Sequence, residues 1–441
     1  MTQTHDDIPA SPRLEALRAA LKAEGHDHAL AAFWQAVAEE GTPLIEPIPG
    51  DPDHSLLTFL WRDDGHTRNV AVLDGPGGGD PTKNVMRRLP GTDVWHITYR
   101  ARNDLRSKYR LAPNDSLLQE HEVTDWAARS ANWRNDPLNP HIFTIPPGDD
   151  DPGGSGWSVS MVELPAAPPA PYITPRPGVP HGAVTLAPFS SETLGETRRV
   201  WVYTPPDYPQ RAVFEPCGLL VLYDGAAWQN ALPVPAILDN LLAERRIRPL
   251  IALLVDSPGD RRLDDLLCSE RFARFVAAEL VPWARRHYRI SSDPARAIVG
   301  GQSAGGLAAA FTALRHPEVF GNVLAQSGSF WWRPPDDDEH EWLARQLAAA
   351  PRLPLRFYHE VGLRETHSTP GDGPTQLLAN RHLRDVLRAK GYPVTYSEFN
   401  GGHDFLGWRR TLADGLMALA GMEEDTENAE VAEACGERGE G

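Results

Sequence analysis

Leu, Ala, Phe and Trp recur at helical spacing behind Ser11 and Pro12, and the spacing predicts one helix over residues 12–39. The period then changes from 3.6 to 2. "LLTFLWR" sets Leu57, Phe59 and Trp61 on one face, "NVAVL" sets Val70 and Val72, and "VWHITYR" sets Trp95, Ile97 and Tyr99. Turn clusters such as "DGPGGGDP" and "LPGTD" separate these runs. Half-buried strands without helices between them predict a small antiparallel β-sandwich, so residues 1–150 read as a helix plus a sandwich domain.

Residues 151–182 are too rich in proline for a helix or a central strand and read as a semi-rigid linker with one embedded strand, "WSVSMVEL". From 183 to 421 the pattern changes in kind. "RRVWVYTP", "GLLVLYDG", "PLIALLVDS", "ARAIVGG", "VLAQSGS", "LRFYHEVG" and "VTYSEFNGG" are mostly continuous apolar runs, as strands buried on both faces require. Between most of them lie helical segments, "ILDNLLAERR", "RFARFVAAELVPWARRHY", "GGLAAAFTALRHP" and "TQLLANRHLRDVLRAKG". Strands alternating with helices predict an α/β domain with a parallel-rich sheet covered on both faces. The polar, acidic end, 422–441, is expected to be disordered.

Composition narrows the function. A chain of 441 residues with 41% hydrophobic and 23% charged residues is expected to form two folded globular domains. No apolar run approaches bilayer length and the N-terminus has no apolar signal core, so the expected compartment is the cytoplasm, with no membrane partner. Three cysteines, Cys217, Cys268 and Cys435, do not make a disulfide framework. Without CxxC or HExxH spacing, neither a protein-held metal nor a cofactor is expected. A net charge of -17 argues against nucleic acid as a partner. Oligomeric state is not legible.

The chemistry centres on "VGGQSAGGLAAAF". Gly301-Gln302-Ser303-Ala304-Gly305 is a G-x-S-x-G element between an apolar strand and a helix, the setting in which a tight turn exposes a nucleophilic serine at the carboxyl edge of a sheet. A serine so placed needs a base and a group that orients the base, following it in the order acid, then histidine. His403, in the Gly-flanked loop "FNGGHDFLGW" after the last strand, is the base; His287, His316 and His382 sit in helical segments and His359 within a strand. Glu365, a short turn past the penultimate strand, is the preferred acid. Glu360 lies inside that strand, Asp372 lies farther out, and Asp404 adjoins the base but its side chain should diverge from it. The amide of Ala304 is one expected oxyanion donor, and the turn in "VLYDGAAW" offers Ala226, or Gly225 in its place.

"VGGQSAGGLAAAFTALRHPEVFGNVLAQSGSFWW" and "VGLRE…NGGHDFLGWR" resemble the enterochelin (ferric enterobactin) esterases. "LLVLYDGAAWQNALPVPAILDNL" is similar to that family's oxyanion-loop segment, and "RRLDDLLCSERF" to its Arg-x-x-Glu-Leu-x-Cys segment, with Asp265 where the family has glutamate. "FWQAVAEEGTPLIEPIP", "TFLWRD", "GTDVW" and "DPLNP" match its N-terminal domain, and the likeness runs from about residue 30 to 420. The resemblance implies an α/β-hydrolase domain preceded by a small Ig/E-set-like β-sandwich with an N-terminal helix. It implies a serine esterase that opens the trilactone of a catecholate siderophore, with Ser303, His403 and Glu365 as the triad and iron entering only as part of the substrate. A ferric triscatecholate is a bulky aromatic trianion, which calls for cations and aromatic walls. Arg262 is the expected anchor, Arg364 an alternative, and Trp228, Trp331 and Trp332 the expected walls. Two other readings compete: a general carboxylesterase of the same fold, and a binding module fused to an inactive hydrolase domain.

Overall fold

The computed structural model describes residues 10–23, 25–119, 122–147, 156–208, 215–259, 261–367, 369 and 372–422. Apart from Met422, the acidic tail lies outside the described residues.

The predicted first helix is two: α1 (Pro12–Ala23) and α2 (His26–Glu40). Gly25 separates them at φ +88°, a conformation that L side chains rarely adopt, so the helical period runs through a point where the backbone turns. Next come β1 (Leu44–Ile48), β2 (Asp51–Arg62), β3 (Val70–Leu73), β4 (Arg87–Arg88), β5 (Val94–Arg102), β6 (Arg106–Pro113), a short α3 (Trp126–Ser130), β7 (Ile142–Ile145) and β8 (Trp157–Glu163). They form two four-stranded antiparallel sheets, ordered β1-β2-β5-β4 and β3-β6-β8-β7. Leu57, Phe59, Val70, Val72, Ile97 and Tyr99 meet in the core between them, the faces that the period-two pattern selects. Leu60, from the opposite face of β2, packs instead with Leu17, Phe33, Trp34 and Val37 of the two helices. The helices therefore cover a sheet face that would otherwise be wet. Strand β8, expected within a linker, completes the second sheet beside β6 and β7.

The second half contains β9 (Ala183–Ser191), β10 (Glu196–Thr204), β11 (Gly218–Tyr223), α4 (Gly225–Asn230), α5 (Val234–Ala243), β12 (Leu250–Val255), α6 (Arg262–Leu266) and α7 (Glu270–Arg274). A π-helical turn, Phe275–Leu280, carries α7 into α8 (Val281–His287). Then follow β13 (Ala297–Gln302), α9 (Ala304–Arg315), β14 (Asn322–Gln326), α10 (Trp342–Ala349), β15 (Arg356–Gly362), α11 (Gln376–Ala389), β16 (Val394–Phe399) and α12 (Phe405–Ala420). One eight-stranded sheet runs β16-β15-β14-β13-β11-β12-β10-β9; β11 to β16 are parallel, and β9 and β10 are antiparallel at one edge. Alternate residues of β11 face opposite cores. Leu219, Val221 and Tyr223 pack with α7 to α9, while Leu220 and Leu222 pack with α5 and α12. This is an α/β-hydrolase architecture behind a sandwich, as the sequence predicts.

The strand order fixes where a site can form. After β11 the chain steps outward to β12, then returns to the other side of β11 as β13. Connections leaving β11 and β13 diverge there, and the crevice at their carboxyl ends is where open α/β sheets place ligands.

Candidate active site

Ala226 follows β11 and Ser303 follows β13, so the switch point brings both to one cavity of about 460 Å³, which His403 also lines. Ser303 has φ +55° and ψ -124°, the strained geometry of a nucleophile elbow. The flanking glycines are not equivalent. A Cβ on Gly301 would sit 2.7 Å from the Gly305 carbonyl carbon, whereas one on Gly305 would meet nothing nearer than 3.4 Å. Gly301→Ala is therefore expected to cost ~1–3 kcal/mol through overpacking, and Gly305→Ala, inside a helix, to be neutral or stabilising by up to ~1 kcal/mol. Denaturant unfolding of the two variants checks this.

Glu365 leaves β15 by a short turn and is 1% exposed. Its Oε1 accepts hydrogen bonds from the Gly362 amide (2.7 Å) and the Ser327 hydroxyl (2.5 Å), and its Oε2 lies 2.6 Å from His403 Nδ1. Trp408 Nε1 donates to Ser327 Oγ (2.9 Å), which commits the Ser327 proton to the carboxylate. The Trp408 ring also stands edge-on to the imidazole, 4.8 Å between centroids. Asp404, rejected as the acid, caps α12 by accepting from the amides of Leu406 and Gly407, and so fixes the end of the His403 loop. These contacts leave Nε2 of His403 for proton transfer. The Ser303 hydroxyl is hydrogen-bonded to Ser329 Oγ at 3.3 Å rather than to His403. Rotation about its one side-chain bond must release it, and catalytic hydrogen bonds commonly tighten only once substrate is bound.

Within β15, the strand that leads to Glu365, Glu360 is fully buried; it accepts from Gln326 Nε2 (2.9 Å) and from the hydroxyls of Thr411 and Tyr358. Burial pushes its pKa up to about 7, against the pull of these hydrogen bonds. From its ordinary value near 4.5 up to about 7, the folded state keeps a proton that the unfolded chain has released. Stability from this group is therefore full below the window and falls as pH rises through it. Glu360→Gln is expected to melt progressively higher relative to wild type across that window, with a constant difference above it. Subtracting the two melting profiles cancels the opposite slope from buried His359, which burial pushes down to about 3.

The amides of Ala304 and Ala226 lie in the first turns of α9 and α4, where backbone N–H groups have no intrahelical acceptor. Gly225 has a different task. A Cβ there would lie 2.6 Å from the Leu254 backbone, so glycine lets the loop pass over β12. Preceding it, Asp224 adopts φ +63° and receives a bidentate pair from Arg262, Nε to Oδ1 at 2.8 Å and Nη2 to Oδ2 at 2.7 Å. Arg262 lines the cavity, and its pair with Asp224 also clamps the loop between β11 and α4. Asp265, one residue type shorter than the family pattern, meets the buried guanidinium of Arg198 at 2.5 Å.

Four expected substrate contacts lie elsewhere. Trp228 is wholly buried under the loop, with Nε1 donating to the Tyr223 carbonyl. Trp331 and Trp332 pack on the hydrophobic core, Trp332 edge-on to Trp342, and neither lines the cavity. Arg364 donates to the Pro76 carbonyl (2.7 Å) and Asn400 Oδ1 (3.3 Å), joining the two halves of the chain. Each position follows a strand's carboxyl end, but sequence does not say that the side chain turns inward to the core or sideways to the other domain. Residues the sequence did not single out complete the site: Asp256, Ser257, Phe405 and Trp408 from the hydrolase half, and Lys108 and Trp157 from the sandwich. Among the described residues no cluster of His, Cys, Asp or Glu is arranged to hold a metal, and no helix is long and apolar enough to cross a membrane.

An elbow serine, an imidazole oriented by a buried carboxylate and two helix-start amides on an α/β sheet define a serine esterase of the α/β-hydrolase class. Residues 56–173 match the family model of the enterochelin esterase N-terminal domain, and residues 191–419 match an esterase model. The chain belongs to the enterobactin esterase family. It is 32% identical to the iron(III) enterobactin esterase of Dickeya dadantii, over 88% of this chain and 92% of that one. The enterobactin esterase of Shigella flexneri, solved in the presence of enterobactin, superposes with a TM-score of 0.67 at 30% identity, covering 88% of this chain and 97% of the other. The ferric enterobactin esterase of Salmonella typhimurium gives 0.69 at 30% identity, covering 88% and 98%.

Proposed function

We propose that this chain is a cytoplasmic esterase that hydrolyses the trilactone of a ferric catecholate siderophore of the enterobactin type, so that the iron can be released. The observation that carries the reading is the 2.6 Å Glu365–His403 pair opening onto the same cavity as Ser303, in a chain whose two halves both match this family. Ser303 Oγ attacks a lactone carbonyl as His403 Nε2 takes its proton, and Glu365 stabilises the imidazolium through Nδ1. The amides of Ala304 and Ala226 receive the developing oxyanion. Nε2 then protonates the departing seryl oxygen, opening the ring and leaving the acyl group on Ser303. Water, deprotonated by the same imidazole, releases the linear product. The reading calls on no cofactor, because iron arrives with the substrate.

The test is incubation of ferric and iron-free trilactone with wild type and Ser303→Ala, followed by chromatography. Linear catechol-serine products from wild type alone support the reading. Intact trilactone beside rapid cleavage of p-nitrophenyl butyrate would replace it with a general carboxylesterase.

A further inference from the structure

The sandwich domain reaches into the catalytic cavity. Lys108, on β6, and Trp157, the first residue of β8, both line it, although neither belongs to the hydrolase fold. Strand β6 and the turn before it brace the His403 loop. The Arg106 amide donates to the Asn400 carbonyl (3.1 Å), Asn400 Nδ2 donates to Asp104 Oδ1 (2.6 Å), and the Lys108 amide faces Asp404 Oδ2 at 3.5 Å. Lys108 is thereby held at a fixed place relative to His403.

The charges around the cavity single out this lysine. Arg262 is engaged on two of its nitrogens by Asp224, and Asp256 is matched by Arg199 at 2.8 Å. The Lys108 ammonium is held by Asp74 at 3.1 Å, a carboxylate that does not line the cavity, and is also drawn electrostatically by Asp404, which does; the one direct contact leaves two of its three N–H donors. Burial works against its charge, but Asp74 and Asp404 outweigh burial and its pKa is raised, so it is cationic at neutral pH. Trp157 lies beside it: the Lys108 Nζ is 5.9 Å and the Arg110 guanidinium 5.4 Å from the centre of its ring. Phe143 backs Trp157 edge-on at 6.2 Å. A cation next to a fixed aromatic wall fits a ligand that is itself both flat and negatively charged.

We propose that Lys108 and Trp157 form the specificity element of the site, a subsite in the N-terminal domain that binds one anionic aromatic arm of the substrate while the ester lies at Ser303. This rests on the reading of the site as a catecholate esterase, but it can fail separately.

The probe is 2,3-dihydroxybenzoylserine, an anionic catechol, used as a competitive inhibitor of p-nitrophenyl butyrate hydrolysis by the full chain; uncharged N-benzoylglycinamide is the control inhibitor. In Lys108→Gln and Trp157→Ala the inhibition constant of the catechol is expected to rise about tenfold or more, a size typical for loss of one charged or aromatic contact. In Lys108→Gln that of the neutral control should move less than about threefold, in Trp157→Ala it should rise along with that of the catechol because both carry an aromatic ring, and Lys108→Arg should restore most of the affinity lost in Lys108→Gln. Equal weakening of both inhibitors in Lys108→Gln would show that the lysine only supports the fold, and unchanged constants in either variant would show that the substituted residue does not touch the ligand; either overturns the proposal. Circular dichroism and melting verify that each variant is folded, and Trp157→Phe serves if the alanine variant is not. A wild type that leaves the trilactone intact yet shows the selective loss on Lys108→Gln would retain the subsite and discard the siderophore reading.

Discussion

Ser303→Ala should lower ester turnover by ~10⁴-fold or more, with the substrate still bound. The methyl group removes the only atom that forms the acyl-enzyme, while the oxyanion amides and the cavity stay, so what remains is the slow attack of water on a positioned ester. The fold should not change, because the elbow is set by the backbone and by the close approach of Gly301 to Gly305. Ser329 makes the result informative. Its hydroxyl lies 3.3 Å from that of Ser303 and is the nearest substitute nucleophile. Single-turnover kinetics on p-nitrophenyl butyrate and on the trilactone measure the loss, and a variant within tenfold of wild type would mean that another group carries the acyl chain.

Glu365→Gln is expected to lower kcat by ~10³–10⁴-fold with little change in KM. The carboxylate stands between two sets of donors. Oε1 faces the Gly362 amide and the Ser327 hydroxyl, whose own proton is committed because Trp408 donates to its oxygen. A glutamine at 365 must keep its carbonyl oxygen on that side, which turns its NH₂ toward His403 Nδ1. Nδ1 then has to accept, the imidazole proton moves to Nε2, and the base can no longer take a proton from Ser303. The loss should therefore fall on the chemical step. Steady-state kinetics separate the two parameters; a loss under tenfold would return the acid role to another carboxylate.

Much of this arrangement is legible before any coordinates. Most parallel strands of the second half declare themselves because strands buried on both faces must be continuously apolar, although edge strand β16 is not, and Ser303, Glu365 and His403 become candidates because each follows a strand-like run. Edge strand β9 is not legible: its residues are mostly exposed and it contains Pro188, so it lacks the pattern of a buried strand. Strand β8 is legible as a strand, but its setting among prolines assigns it to the linker rather than to the second sheet of the sandwich. Helix α12, which buries Trp408 against His403, follows the His403 loop so closely that its first turn reads as part of that loop. The tryptophans mark the deeper limit. Trp228 and Trp157 are both aromatic residues in short segments, yet one is sealed under a turn and the other faces the cavity from a different domain. Which of these happens is decided by packing against elements distant in the chain, and local pattern carries no trace of it.

The triad itself is tested most directly by labelling the enzyme with an alkyl fluorophosphonate, which reacts only with an activated serine, and mapping the adduct by peptide mass spectrometry. A single adduct on Ser303, formed rapidly in wild type and orders of magnitude more slowly in His403→Ala and Glu365→Gln, is the predicted result. An adduct on Ser329, or labelling of Ser303 at the same rate in all three proteins, would contradict it.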